Sequence, residues 1–254
     1  MARITAIVNQ KGGVGKTTTA AALAAGLHDA GYTVLTVDAD AQGSLSFIRA
    51  AKAARSLYDA MKGTPPRDVI IDTPKGDFIA GGPALAGADM EFTKTGREYI
   101  LKGILKPLRE AYTHIIIDCP PQLGIMAINA LTAADDVIIP MGADILSLQG
   151  LGQLYETINT VTEYCNPSLK IAGLLLCRYT NRATLNRNIA EVMKQEAQEA
   201  GVSIYETRIR EAVAVKEAQT MRESIFDSHP RAKVAEDYAA FVKEYLSQEE
   251  KGNG

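Results

Sequence analysis

The sequence is poor in cysteine, in long apolar runs and in excess charge of either sign. Its three cysteines, Cys119, Cys165 and Cys177, are too few and too scattered for a disulfide framework or a four-thiolate metal site, and they suit a reducing cytosol. No apolar run approaches the roughly 18 residues that a membrane-spanning helix needs, and no segment resembles an export signal. The net charge of −3 excludes a uniformly basic nucleic-acid-binding coat, although it is compatible with a local basic patch.

The composition is typical of a folded, soluble protein. Hydrophobic residues make up 46% of the 254 residues and charged residues make up 22%. This length suits one α/β domain with a sizeable core, and no repeat or low-complexity linker divides the chain. We therefore expect residues 1–254 to form a single domain, with a frayed tail over residues 249–254.

Strand-like and helix-like segments alternate along the chain. Several apolar runs are continuous, which is typical of strands buried on both faces, and helical patterns separate them. This order predicts an α/β fold with a doubly wound, mostly parallel sheet and helices on both faces. The predicted strands are Ile4 to Val8, Thr33 to Val37, Val69 to Ile71, His114 to Ile117, Val137 to Ile139 and Ile171 to Cys177. The predicted helices are Thr17 to Ala30, Arg97 to Tyr112, Leu148 to Tyr164, Leu185 to Ala200 and Lys233 to Leu246.

A glycine-rich loop follows the first predicted strand and opens the first predicted helix. Its glycines permit a turn whose backbone N–H groups form an anion-binding nest, and the helix N-terminus adds partial positive charge. This context predicts a P-loop, in which Lys16 reaches the β- and γ-phosphates, Thr17 ligates Mg²⁺ and Thr18 contacts the α-phosphate. The loop reads Asn9-Gln10-Lys11-Gly12-Gly13-Val14-Gly15-Lys16-Thr17-Thr18.

The beginning of this loop departs from the usual P-loop. Gln10 stands where the first glycine is usual, and an additional lysine, Lys11, follows it. In this form the sequence resembles the ParA/MinD family of nucleotide-dependent positioning ATPases. The resemblance implies a P-loop fold with bound ATP and Mg²⁺, and a Lys11 that reaches across a homodimer to the phosphates held by the other subunit. Such a cation stabilises charge on the transferring phosphoryl group and makes hydrolysis depend on dimerisation.

Acidic residues stand at the ends of two predicted strands. Asp38 and Asp40 lie two residues apart, so both carboxylates can face the same side, and Asp118 ends an apolar strand as a Walker B carboxylate does. Carboxylates beside a phosphate site hold Mg²⁺ and its waters. The resemblance implies that Asp40 positions or activates water, while Asp38 and Asp118 support the metal. Asp72 ends a similar Ile-Ile-Asp run and is the alternative Walker B residue, but its strand is shorter.

The resemblance covers nearly the whole chain and is closest to the short chromosomal form of ParA. It implies that Arg178 lies near the adenine, and that the ATP-bound dimer binds DNA without sequence preference through Arg182 and Lys216. It further implies a ParB-like partner that stimulates hydrolysis, a nucleoid-associated location in the cytoplasm, and a role in partitioning a chromosome or plasmid. Ala41 and Ala214 stand where the family usually carries proline and arginine.

Three other functions share parts of this pattern. A MinD-like, membrane-associated positioning ATPase needs an amphipathic C-terminal helix, but the apolar stripe of residues 233–246 is typical of core packing. Anionic lipid would also repel the acidic end of this helix, residues 248–251. An iron–sulfur carrier of the nitrogenase iron-protein type needs two bridging cysteines per subunit, and none precedes Cys119. A GTPase needs an Asn/Thr-Lys-x-Asp base reader, and residues 93–96 lack the aspartate. The MinD-like ATPase is the principal alternative, and we expect no membrane partner.

Overall fold

A central β-sheet organises the protein. The structure is a computed structural model, and it describes residues 1–50, 53–142, 145–180, 192, 194, 197 and 201–252. The strands in this part of the chain are β1 (Arg3–Ile7), β2 (Val34–Asp38), β3 (Ile70–Ile71), β4 (Asp77–Ile79), β5 (His114–Asp118), β6 (Asp136–Gly142), β7 (Lys170–Tyr179) and β8 (Ile204–Arg210). They form an eight-stranded sheet in the order β3-β4-β2-β5-β1-β6-β7-β8, and only β3 and β4 pair in antiparallel fashion. The predicted doubly wound, mostly parallel α/β fold is confirmed.

Helices cover both faces of the sheet. They are α1 (Lys16–Asp29), α2 (Ser44–Ile48), α3 (Leu57–Met61), α4 (Ala88–Glu91), α5 (Ile100–Leu105), α6 (Ile125–Ala133), α7 (Ile145–Tyr164), α8 (Val213–Met221), α9 (Ile225–Ser228) and α10 (Lys233–Gly252). Short 3₁₀ helices span Pro66–Val69, Pro83–Gly87, Arg97–Tyr99 and Lys106–Leu108. No helix within the described ranges combines the length and the apolar character needed to cross a bilayer.

Side chains from the two faces of the sheet enter two hydrophobic clusters. Along β5, Ile115 and Ile117 enter one cluster, and Ile116 between them enters the other, because successive strand residues point to opposite faces. Residues of α3, α5, α6 and α7 complete the first cluster, and residues of α1, α8, α9 and α10 complete the second. Burial on both faces explains why the central strands appear in the sequence as continuous apolar runs.

Several elements differ from the prediction. The shorter helices α2, α3, α4, α6, α8 and α9 are not among the predicted ones. β4 and β8 are not predicted, because β4 is short and β8 alternates buried residues with exposed ones such as Glu206. The predicted helix Arg97 to Tyr112 is instead α5 flanked by 3₁₀ turns, and Pro107, which cannot donate a backbone hydrogen bond, lies in the second of these. Most of the predicted helix Leu185 to Ala200 lies outside the described residues.

The C-terminal helix continues beyond the predicted boundary. α10 extends to Gly252, six residues beyond the predicted end at Leu246. Glu249 ties this end to the sheet, because its Oε2 lies 3.0 Å from Nε2 of His114 and its Oε1 lies 3.3 Å from Nε of Arg3. The apolar stripe of α10 is buried, as core packing requires; its members are Val234, Tyr238, Phe241, Val242 and Tyr245.

Candidate functional site

The glycine-rich loop takes up a conformation that only glycine adopts readily. It joins β1 to α1, and Gly13 and Gly15 have φ angles of +75° and +100°. Gly15 lies against the neighbouring strand β7, where a Cβ atom would make ordinary van der Waals contact with Cβ of Cys177 at 3.5 Å. Gly15 is the N-cap of the 14-residue helix α1, so the unpaired amides of the first helical turn face the loop. This combination is a phosphate-binding geometry.

Asn9 shapes the start of the loop, and it was not among the predicted site residues. Its Oδ1 accepts a hydrogen bond from the backbone N–H of Lys11 at 2.9 Å, and its Nδ2 donates to the carbonyl of Pro140 at 2.7 Å. These bonds fix the loop to the end of β6. The sequence carries a signal for this role, because an asparagine directly after a strand commonly forms such a turn.

Lys16 lies under the loop with little access to solvent. Lys16 is only 7% exposed, and its Nζ donates a hydrogen bond to the carbonyl of Lys11 at 3.1 Å. Burial lowers the pKa of Lys16, and the nearby Asp118, Cys119 and Asp40 oppose that shift. The ammonium group is thus a cation that the fold has largely removed from water and set beside carboxylates.

Asp118 is the most constrained charge in the site. It ends β5, it is fully buried, and neither of its carboxylate oxygens has a hydrogen-bond partner of good geometry. Burial raises the pKa of Asp118 well above its usual value, and the nearby Asp38 raises it further, whereas Thr17 and Lys16 favour the charged form. A buried carboxylate without partners is costly unless a cation or its water ligands satisfy the oxygens. The alternative residue, Asp72, is exposed after the edge strand β3.

The strand register brings Asp38 beside Asp118. The two residues are direct partners across β2 and β5, and both strands end at the same edge of the sheet. Within the part of the chain that the structure describes, no three Asp, Glu, His or Cys side chains are close enough to ligate a metal directly. The donor set fits Mg²⁺, which typically keeps several waters and takes one or two carboxylates together with phosphate oxygens.

Asp38 also organises the segment that carries Asp40. Its Oδ2 accepts hydrogen bonds from the backbone N–H and the hydroxyl of Ser46 at 2.8 and 2.7 Å, and its Oδ1 accepts one from the N–H of Asp40 at 3.1 Å. Burial raises the pKa of Asp38, and the bonds from Ser46 oppose this. A Cβ atom at Gly81 would lie 2.5 Å from the carbonyl oxygen of Asp38, so this position requires glycine. Ser46 and Gly81 are contacts that the sequence did not predict.

An open cleft runs from the P-loop towards α8. Its volume is about 1140 Å³, and its lining includes the P-loop glycines, Thr17, Thr18, Asp40, Arg178 and Lys216. Arg178 has a φ angle of +54°, donates from Nη1 to the carbonyl of Gly13 at 3.0 Å, and pairs through Nη2 with Glu211 at 2.7 Å. Gln219 of α8 donates to the Thr18 hydroxyl at 3.0 Å.

The predicted site residues therefore fall into three groups. Asp38 and Asp118 are buried behind the P-loop, while Lys16 through Thr18, Asp40, Arg178 and the exposed Lys216 line the cleft. Val14 is buried under the loop, and Lys11 is half-buried at its start. Arg182 lies outside the described residues.

Comparisons with known proteins identify the family. The model of the AAA domain family matches residues 2–171. The chain is 36% identical to the chromosome partitioning protein ParA of Caulobacter vibrioides, over 97% of this chain and 95% of that protein. It is 38% identical to the sporulation initiation inhibitor protein Soj of Bacillus subtilis, over 96% of this chain and 98% of that protein. The chain belongs to the ParA/MinD family of ATPases. The partitioning relatives make it a ParA-type ATPase.

Solved structures share the fold of this chain. A cobyrinic acid a,c-diamide synthase from Mycobacterium smegmatis, with bound ADP and magnesium, is 33% identical with a TM-score of 0.86, over 99% of this chain and 97% of that one. The same protein with a bound ATP analogue and magnesium gives 32% identity and a TM-score of 0.87. The cell division ATPase MinD of Pyrococcus furiosus, at 24% identity and a TM-score of 0.80, shows the same fold.

The unpaired carboxylate of Asp118 predicts that Asp118→Asn stabilises the ligand-free protein. The folded state raises the pKa of Asp118, so its charged form weakens folding once the pH exceeds the ordinary carboxyl pKa, and fully so above the raised value. At pH 7.5 we expect the variant to have a higher free energy of unfolding than the wild type, because the neutral amide avoids the cost of burying an unpaired charge. The gain should shrink as the pH falls towards 4. Chemical denaturation across this pH range, with Asp72→Asn as the control, provides the measurement; a variant less stable than the wild type at pH 7.5 would contradict the account.

Proposed function

We propose that this ParA-type ATPase hydrolyses ATP with Mg²⁺ to partition a chromosome or plasmid. In the proposal it dimerises when ATP is bound, the dimer binds DNA without sequence preference, and a ParB-like partner stimulates hydrolysis and so releases the DNA. The observation that carries the ATPase part is the buried, unpartnered carboxylate of Asp118 beside Lys16 and beneath the P-loop. The proposed location is the cytoplasm, in association with the nucleoid.

In the proposal, the P-loop and the neighbouring carboxylates bind the phosphates of ATP and the Mg²⁺ that accompanies them. The amides of Gly12 to Lys16 face the loop and bind phosphate oxygens, and Lys16 offsets the charge of the β- and γ-phosphates. Thr17 would hold Mg²⁺ with the support of Asp118 and Asp38, and the ion would supply charge stabilisation for the phosphoryl oxygens. Arg178, which holds the Gly13 carbonyl from one side of the cleft, is the residue proposed to contact the base.

Asp40 is the proposed residue that orients the attacking water. It lines the cleft, and its backbone is held by Asp38 while its Oδ1 accepts a hydrogen bond from the N–H of Gln42 at 2.9 Å. Its carboxylate therefore has a fixed direction and a remaining oxygen to accept a proton or a hydrogen bond from water. In-line attack by that water on the γ-phosphorus needs positioning and charge stabilisation, and no covalent intermediate.

DNA binding in the proposal rests on cations near the cleft. Lys216 is exposed on α8. Arg210 forms a two-point ion pair with Asp237 at 2.6 and 2.7 Å, so its charge is already neutralised and it is not included in the proposed DNA surface. Arg182, which the resemblance assigns to DNA, completes the proposed set. Contacts of this kind to phosphates give affinity without reading base sequence. The buried apolar stripe of α10 supports DNA over a membrane as the surface on which the dimer acts.

The proposed role of Lys11 predicts a separation of binding from hydrolysis. In Lys11→Ala the carbonyl that accepts the Lys16 hydrogen bond remains, so nucleotide binding by the monomer should stay within about threefold of wild type. The ATP-dependent dimer should be lost, and stimulated hydrolysis should fall by about a hundredfold or more, because a cation supplied in trans is removed. Light scattering with ATP and phosphate release measure the two effects. Lys102→Ala, an exposed lysine on α5, is the control, and full hydrolysis by Lys11→Ala would remove Lys11 from the mechanism.

The proposed DNA surface predicts a salt-sensitive loss of binding. Arg182→Glu and Lys216→Glu should each weaken binding of the ATP-bound protein to DNA and reduce the slope of log K against log salt by about one. Lys170→Glu is the matched control, because Lys170 is exposed at the opposite, amino-terminal end of β7. Co-sedimentation with DNA and with anionic vesicles, each with ATP and ADP, measures the choice of surface. ATP-dependent pelleting with vesicles and not with DNA would favour the MinD-like alternative and contradict the proposal.

A further inference from the structure

A second, smaller cavity lies beside the nucleotide cleft. It has a volume of about 160 Å³ and lies between α1, α2, the turn of residues 73–75, α8 and α9. Four residues, Thr18, Ile48, Val215 and Gln219, line both this cavity and the cleft, so the two spaces adjoin each other. The cavity then continues along α1, away from the phosphates, past Ala21, Ala22 and Ala25.

Most of the cavity wall is apolar. Alanine side chains of α1 form one side, and Ile48, Val215, Ala218 and Ile225 contribute to the others. An apolar cavity of about this size accommodates a compact group of roughly six to eight non-hydrogen atoms, comparable to benzene. The space therefore suits a small branched or cyclic hydrocarbon group.

The half-buried side chain of Arg49 lies in this largely apolar wall. Nη1 of Arg49 donates to the carbonyl of Lys75 at 3.2 Å and Nη2 donates to the hydroxyl of Thr36 at 3.3 Å, but Nε is buried without a partner. Within the described part of the chain, no carboxylate forms an ion pair with Arg49. Burial lowers the pKa of Arg49 to about 10, which still leaves the group charged at neutral pH. A buried charge without a counterion is costly, so an anion at this position would relieve that cost.

The other charges at the cavity leave Arg49 without compensation. Lys75 is already paired with Asp29 and with Asp227, each at 2.8 Å, and Arg222 lies over the ring of Phe47 at 4.3 Å from its centroid. With Asp29, the partner of Lys75, the carboxylates around the cavity number three, as do the cations Arg49, Lys75 and Arg222. The preference of the cavity for an anion therefore rests on Arg49, whose guanidinium group has no carboxylate partner in the described part of the chain.

We propose that this cavity is a second ligand site, which binds a small anion by pairing its carboxylate or phosphate group with Arg49 and packing its apolar body against the alanines of α1. The site is separate from the phosphate-binding loop and its ligand is chemically distinct from a nucleotide. Because Thr18 and Gln219 belong to both spaces, a ligand here would contact the first turn of the P-loop helix.

The proposal is tested by titrating matched probes into the full chain. 4-Methylpentanoate carries the charge and the branched apolar body, 4-methylpentanamide keeps the shape without the charge, and 3-methylbutyl phosphate distinguishes a phosphate ligand from a carboxylate one. We expect one of the two anions to bind saturably with a Kd of about 1–10 mM, and the amide to bind at least about tenfold more weakly. Chemical-shift changes in NMR spectra give the affinity and the location. Equal binding of the acid and the amide, or no saturable binding of either anion, would overturn the proposal.

Variants separate this cavity from the P-loop and from a purely structural role of Arg49. Arg49→Met should lose at least about tenfold in anion affinity while keeping the stability of the wild type, because it replaces an unpaired buried charge by an apolar group. Lys16→Met should leave probe binding unchanged, and Arg231→Met, an exposed arginine outside the cavity, is the matched control. If Arg49→Met does not fold, Ala25→Leu fills the cavity, leaves Arg49 in place and should abolish binding. Wild-type anion affinity in Arg49→Met or in folded Ala25→Leu protein would overturn the proposal.

Discussion

The carboxylate of Asp118 is the constraint on which the site depends. It is fully buried, its oxygens lack hydrogen-bond partners, and Asp38 lies beside it on the next strand. A protein keeps such a group only if the favourable interaction comes from elsewhere, since burial of an uncompensated charge weakens folding. Lys16 provides part of that compensation, and in the proposed function a cation brought with the nucleotide provides the remainder. The buried carboxylate therefore lowers the stability of the nucleotide-free protein, and the same carboxylate favours binding of a cation.

The parallel sheet determines where this charge lies. β1, β2 and β5 are adjacent and end at the same edge, so the P-loop, the segment after Asp38 and the segment after Asp118 emerge side by side. Asp38 then connects the buried carboxylates to Asp40, because its Oδ1 accepts a hydrogen bond from the backbone N–H of Asp40. This chain of contacts is short, and it offers a route by which occupation of the phosphate site would alter the segment that carries Asp40.

Much of the fold and of the phosphate site follows from the sequence, because both depend on local patterns. Continuous apolar runs identify the buried parallel strands, and the glycines of the P-loop are required by backbone angles that other residues adopt at a cost. β8 was missed because an edge strand with alternating polar residues lacks that signal. The helix predicted from Arg97 was interrupted where Pro107 removes a donor.

Contacts between segments that are distant in the chain could not be predicted from the sequence. The bond from Arg178 to the Gly13 carbonyl joins residues 165 positions apart, and that from Gln219 to Thr18 joins residues 201 positions apart. The unpaired Nε of Arg49 is likewise visible only once α2 is packed against the turn at Lys75. No local rule predicts such pairings, since they depend on the strand order and on how the helices cover the sheet.

The most direct test of the central claim is the Mg²⁺ dependence of ATP affinity, measured by calorimetric titration of the wild-type protein with Mg²⁺ and with a chelator. ATP brings further negative charge to a site that already holds Asp38, Asp40 and Asp118, so the nucleotide without its cation should be repelled. We expect ATP to bind at least about tenfold more tightly with Mg²⁺ than without it. Equal affinity under the two conditions would show that the buried carboxylates do not serve the metal, and it would contradict the account.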